Sequence, residues 1–303
     1  MEGYRSGHNG AVLKTVRAKV HAGSNPAPSA TEKKSWTLRG SGLLLLKRKE
    51  SMKKYFDIHE TGFNIRCKLF YEDNVRKIRK VVLYCHGFAG HKDTLAAERF
   101  SGYLLSKYKG YAVLAFDWPC HGEDVRKKLC LSDCDRYLSI VTDYVFRSFA
   151  PESISVCATS FGAYLVLKYI QEHGNPFHRI VLRSPAVGMY ASITGSVITP
   201  EERELIEKGK DTEVGFDRRI RISKVFLEEL HQNDITNKSF LAFADDIMIV
   251  HGTKDEIVSF DSVKEFAEEN VIDLLLIQNA DHRFVDPTLM NLAVSRMAAF
   301  LAE

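Results

Sequence analysis

Six short aliphatic runs, separated by stretches of a different periodicity, restrict what this chain can fold into more than any other feature. They are VVLYCHG (81 to 87), YAVLAFD (111 to 117), ISVCATS (154 to 160), RIVLRSP (179 to 185), DIMIVHG (246 to 252) and DLLLIQNA (273 to 280). Each has the length of a strand, and unbroken apolarity implies burial on both faces. Among them lie TLAAERFSGYLLSKY, SDCDRYLSIVTDYVFRSF, FGAYLVLKYIQEH and FDSVKEFAEE, where apolar residues recur at three and four places, as on one face of a helix. The alternation predicts βαβ units, and with them an α/β fold whose mostly parallel central sheet carries helices on both faces. A final helix, DPTLMNLAVSRMAAFLA, starts with Asp286 as its N-cap and Pro287 at the first helical position.

Upstream, MKKYFDIHETGFNIRCKLFYE places apolar residues at Phe63, Ile65, Cys67 and Leu69, the alternation of a strand, and HETG reads as a hairpin turn. Residues 1 to 51 are rich in Gly, Ser, Ala, Asn and basic residues without useful periodicity, so a disordered basic leader is expected there. It is read as an extension upstream of a natural start at Met52, with an organelle transit peptide as the competing reading. The folded domain is then 52 to 303. Residues 1 to 54 hold 12 Lys and Arg against 3 Asp and Glu, whereas the rest hold 30 against 36. A mildly acidic folded part argues against a nucleic-acid partner.

The longest aliphatic run, GLLLLK at 42 to 47, is too short for a membrane span. Of Cys67, Cys85, Cys120, Cys130, Cys134 and Cys157, Cys130 and Cys134 are four apart, but no second pair of Cys or His at ligand spacing accompanies them, so no zinc site is expected, and a reducing, cytoplasmic location follows. The interval between the fourth and fifth runs, about 185 to 245, is too long for a simple connection. It contains two helix starts: TPEE, where Thr199 and Glu202 fit a capping box, and SKVFLEEL. A small helical cap over the site is expected. Aromatic residues in it, Tyr190, Phe216, Phe226, Phe240 and Phe243, either line a pocket or pack the cap.

Chemistry enters with CATSFGAY. Ser160 lies at the carboxyl end of a strand with a helix beginning at once, flanked by Ala158 and Gly162. A nucleophilic serine needs such a tight turn, with small residues two places to either side. A serine there could equally cap the helix, so the weight falls on the ends of the later strands. The nucleophile needs a base, and the base a carboxylate. IMIVHGTKDEIVS places Asp255 past one later strand, and LLLIQNADHRF places His282, the last histidine of the chain, past the next. Glu256 and Asp281 are the competing carboxylates.

With these motifs the chain resembles the α/β-hydrolase superfamily over roughly residues 55 to 303, in its serine esterase branch and nearest the cinnamoyl or feruloyl esterases. YCHGFAGHKD resembles that family's His-Gly-x oxyanion loop. The resemblance implies backbone N–H donors at Phe88 and Phe161, with His86 and Gly87 supporting the loop and Ala158 and Gly162 the serine turn. FDWPCHGED is similar to the family's loop reading Asp, two variable residues, Gly, His, Gly, with Cys120 in place of the first glycine; Asp117 and His121 are assigned structural roles.

The expected activity is serine hydrolysis of a small-molecule carboxylic ester through Ser160, His282 and Asp255 and an acyl-enzyme. A thioesterase or acyltransferase, a short-peptide hydrolase and a non-catalytic binding protein of the same fold are the alternatives. No cofactor and no metal is expected, because there is neither a Gly-rich dinucleotide loop after the first parallel strand nor a His-x-x-x-His pair. Nothing in the chain specifies an oligomeric state.

Overall fold

The computed structural model describes residues 51–303, so the expected leader lies outside the described residues apart from Ser51. Strands β1 (Met52–Glu60) and β2 (Phe63–Tyr71) form an antiparallel hairpin. Gly62 turns it with φ of 78°, a conformation open to glycine at no steric cost. The repeating part follows as β3 (Lys80–Cys85), α1 (Leu95–Lys107), β4 (Tyr111–Phe116), α2 (Leu131–Phe149), β5 (Ser153–Thr159), α3 (Phe161–His173) and β6 (Ile180–Arg183).

The long interval then contains α4 (Met189–Ser192), a π-helical turn at Ile193–Val197, α5 (Pro200–Glu207), β7 (Thr212–Val214), β8 (Ile220–Ile222), α6 (Lys224–Gln232) and a 3₁₀ turn at Leu241–Asp246. Helix α5 opens with a reciprocal capping box. The Glu202 amide donates to Thr199 Oγ1 at 3.2 Å, and the Thr199 amide donates to the Glu202 carboxylate at 2.9 Å. Ser223 caps α6 through the Phe226 amide. The chain closes with β9 (Ile247–Gly252), α7 (Phe260–Glu269), β10 (Asp273–Ile277) and α8 (Pro287–Ala302), the last capped by Asp286.

Eight strands form one sheet in the order β1-β2-β4-β3-β5-β6-β9-β10, and β7 and β8 pair separately. From β3 to β10 every neighbouring pair is parallel. Alternate residues of each strand face opposite layers. Leu83, Leu114, Val156, Leu182 and Ile249 pack with residues of α2, α3 and α7, while Val82, Val113, Cys157, Val181 and Val250 pack with residues of α1 and α8. Strands β3 to β6 and β9 are buried on both faces, hence their unbroken aliphatic runs, whereas β10 departs from the expectation: it is the edge strand, and Leu276 is exposed.

Connectivity locates the site. The chain leaves β3 for β4 on one side, then jumps back over β3 to β5 and continues outward to β10. In open parallel sheets the crevice at such a reversal, outside the carboxyl ends of the strands, is where a ligand fits. Here it lies beyond Cys85 and Thr159, where the His86-Gly87 loop and Ser160 begin. Among the described residues no helix is long and apolar enough to cross a membrane.

Candidate active site

Ser160 links β5 to α3 with φ 52° and ψ −114°, outside the regions open to ordinary L-residues. Its backbone is held at both ends. The Ser160 amide donates to Arg183 O at 3.1 Å, and its carbonyl accepts from Tyr164 N at 3.1 Å and Ala186 N at 3.3 Å. Strain persists only where the surroundings over-determine it, and these bonds to β6, its following loop and α3 supply that constraint. Small residues are required by contact: a Cβ on Gly162 would lie 2.5 Å from His86 O and 2.6 Å from Cys85 O. Ala158 is fully buried in β5, paired in register with Cys85 and Leu182.

Ser160, His282 and Asp255 are hydrogen-bonded in series. Ser160 Oγ is 3.1 Å from His282 Nε2, and His282 Nδ1 is 2.8 Å and 3.0 Å from the two Asp255 carboxylate oxygens. Asp255 Oδ1 also accepts the Ile257 and Val258 amides at 3.0 and 2.8 Å. Burial alone would raise the Asp255 carboxyl, but the His282 ring and these amides outweigh it and hold it below its usual value. The loops after β9 and β10 are packed together: a Cβ on Gly252 would lie 2.3 Å from Ala280 O, and Lys254 N donates to that carbonyl at 2.9 Å.

The competing carboxylates bond to main chain. Glu256 accepts from the His282 amide at 3.3 Å, and Asp281 from the Val285 amide at 2.9 Å. The His282 carbonyl accepts from Ser184 Oγ at 3.3 Å and the Arg183 guanidinium at 3.4 Å, so the end of β6 braces the histidine loop. Sequence reasoning missed His251, whose Nε2 lies 3.7 Å from Asp255 Oδ2 and whose ring nitrogens have no hydrogen-bond partner among the described residues. Burial holds this imidazole below its usual value, hence neutral at neutral pH, and a second cation does not compete for Asp255.

The loop after β3 abuts the serine: a Cβ on Gly87 would lie 3.2 Å from Ser160 Cβ. Among the described residues the amides of Phe88 and Phe161 donate to no protein acceptor, and Phe161 opens α3, where free N–H groups and the helix dipole favour negative charge. His86 braces the loop as a neutral ring. Its Nε2 accepts from Trp118 N at 3.3 Å, which puts the proton on Nδ1, 2.8 Å from Gly87 O. Burial lowers its pKa to about 3. His121 is held likewise: Nδ1 lies 2.7 Å from Pro119 O, the ring stacks on Phe161 at 6.0 Å, and burial lowers its pKa to about 3.

Asp117 accepts the Lys92 amide at 2.7 Å and the Glu123 amide at 2.9 Å, so it ties this loop to the one after β4. Cys120 adopts φ 65°, which explains why glycine suits this position; the Asp124 carboxylate accepts its amide at 2.8 Å. Of the aromatic residues in the interval, Phe226 and Phe240 are fully buried, Tyr190 and Phe243 partly buried, and Phe216 is exposed. One group of described side chains converges as a cation's ligands would: Asp135, Glu172 and His173. It lies at the far end of α3 from Ser160, and its members are already paired, Glu172 with Lys168 and His173 with Asp135.

A parallel sheet that reverses between β3 and β5, with a strained serine after β5 and an acid and a histidine after β9 and β10, is the α/β-hydrolase fold. Residues 76–209 match the family model described as serine aminopeptidase, S33. Among solved structures, the chain is similar to Est1E from Butyrivibrio proteoclasticus with ferulic acid bound (TM-score 0.67, 19% identity, 81% of this chain and 97% of that one). It is also similar to a soluble variant of monoglyceride lipase from Saccharomyces cerevisiae in complex with a substrate analogue (0.65, 15%, 85% and 98%). A third similar structure is the Pyrococcus furiosus esterase Pf2001 (0.59, 19%, 87% and 97%). No curated protein matches the sequence at a significant level.

Proposed function

We propose that this protein is a serine hydrolase that cleaves carboxylic esters of small molecules. The observation that carries the reading is the unbroken hydrogen-bond series from the strained Ser160 through His282 to Asp255. His282 takes the Ser160 proton as the oxygen attacks the carbonyl carbon, and Asp255 steadies the resulting imidazolium. The Phe88 and Phe161 amides receive the oxyanion. The alcohol leaves with the proton from His282, and water then repeats the two steps on the acyl-enzyme. Esterases and a lipase among the similar structures support the ester as the bond attacked.

The family model's description as a serine aminopeptidase favours a second reading, hydrolysis of short peptides by the same residues. A panel of ester, thioester and amide substrates separates the two. Wild type is expected to turn over short-chain chromogenic esters fastest, and Ser160→Ala to lose that activity together with covalent labelling by an organophosphonate. A folded wild-type protein that resists the phosphonate would refute the nucleophile, and faster amide than ester turnover would favour the peptidase.

A further inference from the structure

The turn between β7 and β8 carries Gly215-Phe216-Asp217-Arg218-Arg219, and it lies beside the histidine loop. Arg283, the residue after His282, pairs with Asp217 at 3.0 Å, and its guanidinium sits 5.3 Å from the Phe216 ring centroid. Gly215, at φ 121°, makes the turn tight: a Cβ there would lie 2.6 Å from Arg218 O. The turn's charges are compensated one by one, with a single exception. Asp217 is neutralised by Arg283, Arg219 pairs with Glu202, and Arg221 pairs with Glu213. Arg218 is exposed and, among the described residues, makes no ion pair or hydrogen bond.

Its charge reaches across to the oxyanion-type loop. After burial, Arg218 is among the charges that hold the His86 and His91 imidazoles below their usual values. The cations and anions of that loop are otherwise engaged, Lys92 with Asp93, Asp117 and Glu123, and Asp93 with Lys68. A guanidinium without a partner among the described residues therefore lies on the turn that Asp217 and Phe216 hold against Arg283, the residue after His282, with the exposed Phe216 ring two residues away.

We propose that this turn is an anion subsite, in which Arg218 receives a carboxylate carried by the substrate, so that half-esters of dicarboxylic acids are preferred over neutral esters. A guanidinium can engage a carboxylate through two parallel N–H···O bonds, a geometry a lysine ammonium lacks. The inference rests on the ester-hydrolase reading for its substrate, though not for its binding site.

The test compares mono-4-nitrophenyl glutarate with 4-nitrophenyl valerate, which has the same chain length without the carboxylate. Wild type is expected to show the higher kcat/KM on the half-ester, with the advantage residing in KM and shrinking as ionic strength rises. Arg218→Gln should cut the half-ester to valerate ratio about fivefold or more, and Arg218→Lys should keep part of it. An unchanged ratio in Arg218→Gln, or no preference in wild type, would overturn the proposal. Calorimetric binding of monomethyl glutarate to Ser160→Ala and to Ser160→Ala/Arg218→Gln provides an arm independent of turnover. Weaker binding by the double variant supports the subsite even if no ester is hydrolysed, an outcome that would sink only the catalytic reading. Equal binding by the two variants rejects the subsite.

Discussion

Asp255 carries several tasks on one carboxylate. Its side chain is fully buried, yet it accepts from the His282 ring and two backbone amides, and it lies below its usual pKa because those bonds exceed the cost of burial. An amide in its place would keep the shape but could no longer accept from His282 Nδ1 through both terminal atoms. With the ring free to adopt the wrong tautomer, Asp255→Asn should lower kcat on a chromogenic ester by roughly ten-thousand-fold while the circular-dichroism spectrum stays unchanged. His251 adds a quieter restraint. A neutral ring beside the same carboxylate leaves the charge of Asp255 to the one histidine that reaches Ser160.

At the scale of elements, the loop after β3 and the loop after β4 behave as one unit through Asp117. Its carboxylate holds the Lys92 and Glu123 amides and lies 3.4 Å from the buried Lys92 ammonium, which also meets Glu123 at 2.6 Å. Gly122 is obligatory beneath it, since a Cβ would overlap the carboxylate at 2.3 Å. Asp117→Ala leaves two amides and a buried cation short of their partner, at a cost of about 3 kcal/mol. Chemical denaturation should show that loss, and phosphonate labelling of Ser160 should slow, because the Phe88 amide sits on the loosened loop.

Strands β3 to β6 and β9 were legible because burial on both faces leaves an unmistakable apolar run, and their observed bounds, with those of the half-exposed edge strand β10, fall within a few residues of those runs. The caps at Thr199, Ser223 and Asp286 were legible because each is a side chain with one local task. The β7–β8 pair was not. Three residues per strand, buried only at alternate positions, are too few to establish a period. Neither was the left-handed turn at Cys120, because its conformation is imposed by Asp124 and the surrounding loop rather than by the residue's own preference. The positions of Ser160, Asp255 and His282 at successive strand ends were legible, and the structure brings the three within hydrogen-bond reach, whereas His251 read as the last residue of a strand and the lack of a partner for Arg218 among the described residues depends on every neighbour.

Across the whole molecule, His86 and His121 make stability depend on acidity. Both lie fully buried beside the serine turn with pKa lowered from 6.5 to about 3, so between those values the unfolded chain binds more protons than the folded one. Stability is therefore full above about pH 6.5 and is lost as the pH falls toward 3. Thermal melts from pH 7 to pH 4 should show a falling midpoint, and His121→Phe, which cannot take up a proton in either state, should flatten that slope. A slope identical to wild type would show that His121 does not contribute to it.

The order of the sheet has one more consequence. Ser160 follows β5, but Asp255 and His282, which complete its hydrogen-bond series, arrive only after β9 and β10, and its backbone is held by carbonyl and amide groups at the end of β6 and just past it. A nascent or truncated chain that has built only the centre of the sheet therefore holds Ser160 without its histidine partner, and under the proposed mechanism closure of the last strand supplies the base that activates it. On that mechanism the fold acts as its own safety catch, withholding reactive chemistry until the molecule that must contain it has closed its sheet.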